Sequence, residues 1–198
     1  MEKKYFKAVE LNHLDDSVID QIRIWRNADF VRKQSFSKDE ITQEQHRKYI
    51  EKLKNDPDKG IFVFYLDDEP FAVYNYNINR LNNSVLISFY LTNEDYQYLG
   101  YGTIMSYYTL QINFNIFNVN KQCGEIIDTN RKLIASLKKE DITVIEGILR
   151  DHIIIDGKYH DVYLTGLLKK DYKTQAESFF PLIDKIVHIQ PLDECVII

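Results

Sequence analysis

The sequence is short of the residues that mark several classes of protein. It has 2 cysteines, 7 glycines and 4 prolines in 198 residues, and no apolar run approaches the ~18 residues of a membrane-spanning helix. Cys123 and Cys195 lie far apart in the sequence, so we expect a reducing, cytoplasmic location and no disulfide framework. Residues 1–7 lack the apolar stretch of a signal peptide. We therefore expect no membrane partner.

Positive charge is also in short supply. The chain has 25 Lys and Arg against 30 Asp and Glu, which gives a formal net charge of -5. Because nucleic acids are polyanions, the chain as a whole does not attract them, and we expect no nucleic-acid partner. Hydrophobic residues make up 44%, enough for a packed core in a chain of this length. The sequence contains no internal repeat and no linker rich in Gly, Pro or Ser.

Hydrophobic periodicity and capping signals predict an alternation of strands and helices. Thr42 and Gln45 form a capping-box pattern, and Asp156-Gly157 is typical of a type I′ hairpin turn. The segment 28–41 is predicted as a loop, and the last helix is expected to break near Pro181. The predicted strands are 5–11, 61–66, 71–78, 84–91, 122–127, 143–155 and 158–168, and the predicted helices are 16–27, 42–55, 103–117, 129–139 and 171–187.

This order predicts an α/β fold with a mixed, mostly antiparallel, twisted sheet of about seven strands flanked by helices. The main domain is expected to cover residues 1–172. Residues 173–198 are expected to form a helix and tail that pack on this domain or on a second subunit, in a monomer or homodimer.

The segment 97–103, which reads Gln-Tyr-Leu-Gly-Tyr-Gly-Thr, carries the strongest chemical signal. It follows a predicted strand and opens a long predicted helix. Two glycines one residue apart allow a tight turn and leave backbone N–H groups facing outward at the positive end of a helix, as a phosphate site requires. The alternative is a helix start that carries glycines for no such reason. Met105 stands where a Rossmann fingerprint needs a third glycine, and no Walker A pattern is present.

This loop, of the form Q-x-x-G-x-G, resembles motif A of the GNAT superfamily, whose members bind the pyrophosphate of acetyl-CoA. The resemblance covers about residues 5–172 and includes the order of the elements and Asn130, near a helix start after a short strand. It implies a GNAT fold whose sheet is splayed at the cofactor slot, acetyl-CoA as co-substrate, no metal, and acetyl transfer to a primary amine. The cofactor-binding residues that it implies are Leu91, Thr92, Gln97, Tyr98, Leu99, Gly100, Tyr101, Gly102, Thr103 and Asn130.

Shorter motifs resemble particular branches of the superfamily. One set of residues near the C-terminal end resembles the ribosomal-protein-type acetyltransferases and the sugar N-acetyltransferases of pseudaminic acid synthesis. The set is Glu146-Gly147, Arg150, Gly157, Asp161-Val162, Leu164 and Leu167. Trp25-Arg26-Asn27 and the helix at 46–53 are more similar to the sugar enzymes. These motifs imply a nucleotide-linked amino sugar as acceptor. The alternatives are a protein N-terminus or a small amine, and a catalytically weak module that only binds acyl-CoA.

Glu125 is the candidate catalytic base, because related sugar enzymes carry a glutamate in this role after motif A. Its alternative is an exposed strand carboxylate. Asp128 is the second candidate, with capping of the following helix as its alternative. Two positions depart from the family pattern: Leu137 replaces a tyrosine that acts as general acid in many members, and Asp141-Ile142 replaces Gly-Phe. Both departures are compatible with an enzyme of low catalytic activity.

Four residues are candidates for acceptor binding. Arg26 could clamp a diphosphate through paired hydrogen bonds, and His46 could bind a phosphate or uracil. Asn75 and Asn77 alternate along one predicted strand, so their side chains would share the floor of the acceptor pocket. Each has a structural alternative: a surface ion pair for Arg26, a solvated helix position for His46, and exposed strand positions for the asparagines.

Overall fold

The computed structural model describes residues 2–140 and 143–198. In these two ranges the chain forms a sheet of nine strands and seven helices. The strands are β1 (Lys4–Glu10), β2 (Lys59–Leu66), β3 (Glu69–Asn79), β4 (Ser84–Leu91), β5 (Lys121–Ile127), β6 (Val144–Ile155), β7 (Lys158–Leu168), β8 (Val187–His188) and β9 (Val196–Ile197). The helices are α1 (Asp16–Asn27), α2 (Asp29–Arg32), α3 (Gln43–Lys54), α4 (Tyr101–Gln111), α5 (Arg131–Glu140), α6 (Tyr172–Ile186) and α7 (Leu192–Cys195).

The strands lie in the order β6-β7-β5-β4-β3-β2-β1-β8, and β9 also pairs with β1. Most neighbours are antiparallel, whereas β4 pairs with β5, and β1 with β8 and β9, in parallel. The predicted α/β fold and its mixed sheet are confirmed. The predicted number of strands is low by two in the described residues, because β8 and β9 are two-residue strands that only their pairing with β1 defines.

Alternate residues of β1 to β4 face opposite sides of the sheet, and each side has its own apolar cluster. On one side, which we call the α4 face, Phe6, Phe64 and Tyr74 pack with residues of α4 and α6 such as Ile104 and Ile183. On the other side, the α1 face, residues of α1 and α3 pack on Ile61, Val63 and Val73 of β2 and β3. The helices of the two faces therefore flank a sheet that is buried on both sides at its centre.

The strongest local signals correspond to observed features. Thr42 and Gln45 make both hydrogen bonds of the capping box at the start of α3. Asp156 and Gly157 have φ angles of 50° and 73°, as a type I′ turn requires. The helix α3 therefore begins where the sequence predicts, and the β6–β7 hairpin turns where the sequence predicts.

Three predictions of secondary structure need correction. The helix α6 passes through Pro181 without a break, because packing of Ile183 and Val187 in the core holds the chain beyond the residue that lacks an N–H donor. The predicted loop 28–41 contains the short helix α2. The helix after motif A ends in a π-helical turn, Ile112–Ile116. None of the helices in the described ranges is both long and apolar enough to cross a membrane.

Candidate functional site

The sheet opens between β4 and β5. These strands are paired only from Ser84 and Lys121 to Ile87 and Gly124. Beyond this point β4 remains paired with β3, and β5 with β7, so the two strands diverge. The gap lies between residues 88–91 and 125–127, which is the splayed slot predicted from the sequence.

Backbone groups of β4 line this slot. Thr92 donates its N–H to the carbonyl oxygen of Phe71 (3.0 Å) and its hydroxyl to that of Pro70 (2.8 Å). Because the direction of N–H groups alternates along a strand, Phe89 and Leu91 direct theirs away from β3, toward the open slot. Both donor groups of Thr92 are therefore used within the sheet, and its predicted contact with the cofactor stays a prediction. Leu91 lies at the slot, and its predicted contact with the cofactor stays a prediction.

The glycine loop forms the end of the slot. Gly100 has a φ of 79°, a left-handed conformation that glycine adopts without strain, and α4 begins at the next residue. The first helical hydrogen bonds run from the N–H groups of Thr103 and Ile104 to the carbonyl oxygen of Gly100. The N–H groups of Tyr101 and Gly102 therefore lie outside the helical ladder, at the positive end of α4.

The space beside this helix start is open. A Cβ atom built on Gly102 would meet no atom of the described residues within 4 Å. The ring of Tyr101 is turned away from this space, because it stacks on Tyr96 (4.5 Å between centroids) and packs edge-on against Phe71. Glycine backbone, free N–H donors and open space together fit a phosphate group.

The other predicted residues of the loop differ in how they can contribute. Gln97 and Leu99 are exposed, and Thr103 is partly buried in the first turn of α4. The side chain of Tyr98 lies outside what the structure describes, as do Asp141 and Ile142. These positions remain predictions of cofactor contact.

Asn130, and not Asp128, caps the helix α5. The side-chain oxygen of Asn130 accepts the N–H of Leu133 (3.4 Å) and so caps α5. The carboxylate of Asp128 instead contacts Nδ1 of His160 (2.8 Å) and the N–H of Asp161 (3.4 Å). The interpretation of Asp128 as a helix cap is wrong. Asn130 lies just beyond the end of β5, and its predicted contact with the cofactor stays a prediction.

The candidate base lies on the α1 face. In the observed register Asn75 is opposite Ser88, and Leu86 is opposite Cys123. Directly paired residues share a face, and so do residues two positions apart in a strand, so Glu125 shares the α1 face with Asn75 and Ser88. Glu125 is exposed and lies one residue beyond the point where β4 and β5 separate. Its carboxylate therefore lies on the α1 face, where the two strands begin to separate.

Arg26 lies near this face and is partly buried. Its Nη2 donates to the carbonyl oxygen of Ser37 (3.4 Å), and its Nη1 is buried with no hydrogen-bond partner in the described residues. Burial, and to a smaller extent the charge of Arg32, lowers the pKa of the Arg26 guanidinium. Burial raises the pKa of Tyr90 although the charge of Arg26 opposes the rise, which indicates that the two groups are neighbours. A cation with an unused donor therefore stands beside a neutral phenol.

His46 does not reach the acceptor side. Its side chain lies in the core with 4% of the residue exposed, and its Nε2 is 2.7 Å from the backbone carbonyl oxygen of Ile19. The ring therefore ties α3 to α1, and the predicted contact with a phosphate or uracil is corrected. Asn75 and Asn77 share the α1 face as predicted, with Asn75 partly buried and Asn77 exposed.

Sequence reasoning missed three side chains of this region. Ser88 and Tyr90 share the face of Asn75, and strand alternation identifies them once the register of β3 and β4 is known. His160 contacts Asp128 from a strand 32 residues away in the sequence, and no local pattern marks that pair.

Comparison with solved structures identifies proteins that have a similar fold. Spermidine N-acetyltransferase from Vibrio cholerae, solved in complex with CoA and spermine, matches with a TM-score of 0.75 and 20% identity over 86% of this chain and 98% of that chain. The chain shares the fold of this N-acetyltransferase. A second Vibrio cholerae structure, of spermidine/spermine N-acetyltransferase with manganese ions, matches with a TM-score of 0.68 and 21% identity over 88% of this chain and 97% of that one. The predicted GNAT fold is thereby confirmed.

Neither a protein-family model nor a curated protein matches the sequence itself. The resemblance to the ribosomal-protein and pseudaminic-acid branches therefore stays a prediction. Within residues 2–140 and 143–198, no group of three or more His, Cys, Asp and Glu side chains is arranged to hold a metal ion.

Proposed function

We propose that this protein transfers the acetyl group of acetyl-CoA to the nitrogen of a small primary amine. The observation that carries the proposal is the slot between β4 and β5, with the glycine loop and the start of α4 at one end and Glu125 where the strands begin to separate. A slot for a long cofactor arm and a carboxylate beside it are the parts that amine acetylation needs. The solved relative binds CoA and spermine, which supports a small amine as acceptor.

The loop would bind the pyrophosphate of acetyl-CoA through backbone groups. The N–H groups of Tyr101 and Gly102 and the positive end of α4 favour an anion, and the open space at Gly102 accommodates it. The N–H groups of Phe89 and Leu91 would bind the cofactor arm and stabilise the thioester oxygen. When bound, acetyl-CoA supplies an activated acyl group.

Glu125 would accept the proton that the amine must lose. A free alkylammonium has a pKa near 10, so the nitrogen must be deprotonated before it can attack. The nitrogen forms a bond to the carbonyl carbon, the carbon–sulfur bond breaks, and the proton from nitrogen passes to Glu125 directly or through water. The thiolate would take its proton from water or from another group, since Leu137 stands where many members of the superfamily carry an acidic tyrosine.

A nucleotide-linked amino sugar is the second candidate acceptor. Arg26 favours it, since its Nη1 has no partner and a guanidinium binds phosphate through paired hydrogen bonds. Polyamines carry only positive charge and would gain nothing from this arginine. The charge of the acceptor therefore distinguishes the two candidates.

The experiment is a turnover assay with acetyl-CoA and three acceptors: spermidine, a UDP-linked 4-amino sugar and an N-terminal peptide. Release of the CoA thiol and the mass of the acetylated product are measured together. Acetylated spermidine or amino sugar supports the proposal and selects the acceptor. Acetylation of the peptide alone would move the activity to protein N-termini. Binding of acetyl-CoA without any product would indicate a module that only binds acyl-CoA.

A further inference from the structure

A second concave site lies on the α4 face, on the opposite side of the sheet from Asn75 and Glu125. It has a volume of about 710 Å³ and lies where β1 ends and β2 begins, next to the π-helical turn Ile112–Ile116. Its walls include Glu10, Phe62, Tyr76 and Phe117. We call it the Glu10 cavity. Nothing in the acetyl-transfer site uses these residues.

Three aromatic rings form one wall of the Glu10 cavity. The ring centroid of Tyr76 lies 4.7 Å from that of Phe117 and 5.8 Å from that of Phe62. Phe117 follows the π-helical turn, and its N–H donates to the carbonyl oxygen of Ile112 (2.9 Å), which closes the turn. A Cβ atom at Gly60 would overlap the hydroxyl of Tyr76. The glycine therefore allows the phenol to lie where it does.

The carboxylate in this cavity has no charged partner among the described residues. Glu10 is 8% exposed, and its Oε2 accepts the N–H of Asn12 (2.8 Å), which is its one hydrogen bond to the described residues. The other oxygen has no hydrogen bond to the described residues, and the residue lines the cavity. Buried carboxylates are normally paired with a cation, because removing a charge from water is costly. Glu10 therefore offers an unfilled site for a positive group.

The basic side chains around the cavity are engaged elsewhere or exposed. Arg80 forms an ion pair with Asp58, and Lys59 lies 3.7 Å from Asp56. Lys54 is exposed at the end of α3, where solvent and salt screen its charge. The inner part of the cavity therefore carries the negative charge of Glu10. At the rim Arg80 and Lys59 are paired with carboxylates, and Lys54 adds one screened positive charge.

We propose that the Glu10 cavity binds a primary ammonium group carried on a short apolar chain. The ammonium would donate to the free oxygen of Glu10 and lie against the faces of Tyr76 and Phe117, which attract cations. The apolar chain would contact the remaining walls, such as Phe62 and Val119. The ligand is thus a small organic amine.

The state of Tyr76 agrees with a negative potential in the cavity. Burial, together with the charges of Glu10 and Asp56, raises the pKa of Tyr76 to about 12. The phenol therefore stays neutral at physiological pH and can accept a hydrogen bond from an ammonium. This site is independent of acetyl transfer, so failure of one proposal leaves the other standing.

The test is a nuclear magnetic resonance titration of the ¹⁵N-labelled full chain with n-butylammonium chloride, with 1-butanol as the neutral probe of equal length. We expect saturable shifts in the backbone signals around Glu10, Tyr76 and Phe117 with n-butylammonium, and much weaker binding of 1-butanol. The variant Glu10→Gln keeps an oxygen for the N–H of Asn12 and removes the charge, so it should weaken binding about tenfold or more.

The control variant is Asp68→Asn, which removes an exposed carboxylate in the turn between β2 and β3 and should leave binding unchanged. Equal binding of n-butylammonium and 1-butanol would overturn the proposal, since it would make the cavity merely apolar. Equal binding to wild type and Glu10→Gln would overturn it as well. Shifts confined to the α1 face would show that the amine binds only at the acetyl-transfer site, which also contradicts the proposal.

Discussion

Nδ1 of His160 lies 2.8 Å from the carboxylate of Asp128, and this contact joins the start of β7 to the residue that follows β5. The carboxylate of Asp128 also accepts the N–H of Asp161. Two hydrogen bonds therefore connect Asp128, which precedes α5, to β7. Asn130 begins α5 two residues later. The pair therefore positions one edge of the slot.

The first prediction concerns the energy of this pair. Both side chains are partly exposed (19% for His160 and 36% for Asp128), so solvent screens their attraction. A double-mutant cycle with Asp128→Asn and His160→Gln should give a coupling free energy of about 0.5–1 kcal/mol in chemical denaturation. Strictly additive effects of the two substitutions would contradict the contact.

The second prediction tests the structural role of His46. Replacement by Ala removes a buried hydrogen bond between α3 and α1, so His46→Ala should lower the free energy of unfolding by about 1–3 kcal/mol. The KM for the acceptor should not change. Arg47→Ala, at an exposed neighbour, is the control and should change stability by less than about 0.5 kcal/mol. A stable His46→Ala protein with a raised KM would restore His46 to the acceptor site.

The third prediction concerns Glu125 as the base. Glu125→Gln keeps the shape of the side chain and removes its basicity, so turnover should fall by about 10²-fold while affinity for acetyl-CoA is retained. Glu177→Gln, at an exposed position of α6, should leave turnover unchanged. Unaltered turnover of Glu125→Gln from pH 6 to 9 would mean that Glu125 is only an exposed strand carboxylate.

The fourth prediction uses Arg26 to identify the acceptor. An ammonium cannot reproduce the paired hydrogen bonds of a guanidinium, so Arg26→Lys should raise the KM for a UDP-linked amino sugar about tenfold. The KM for spermidine should stay the same. Arg47→Lys is the matched control on an exposed surface of α3. If neither acceptor responds to Arg26→Lys, Arg26 takes no part in acceptor binding.

Features specified by neighbouring residues could be predicted from the sequence. The capping box at Thr42, the hairpin turn at Asp156-Gly157 and the glycine loop at Gly100 each depend on a few adjacent residues whose geometry is intrinsic. The slot could be predicted because the resemblance to a known family adds long-range information that local patterns lack.

Features that depend on distant contacts could not be predicted. His46 lies on a helix whose polar face continues around it, and only the approach of Ile19 from α1 makes it buried. The helix α6 tolerates Pro181 because its packing on α4 outweighs the lost hydrogen bond. The strands β8 and β9 are two residues long, so their pairing with β1 leaves no periodic pattern in the sequence.

The central claim is that acetyl-CoA binds in the slot through the glycine loop, and thermal or chemical unfolding with and without acetyl-CoA tests it most directly. At about 100 times its Kd the ligand should stabilise the wild type by about 2.7 kcal/mol. Gly102→Glu places a negative charge in the phosphate space and should abolish this gain, yet it should fold, because a Cβ there meets nothing within 4 Å. Gly147→Glu adds the same residue at a second open glycine and should keep the gain. A wild type that acetyl-CoA does not stabilise, or equal stabilisation of Gly102→Glu, would contradict the account.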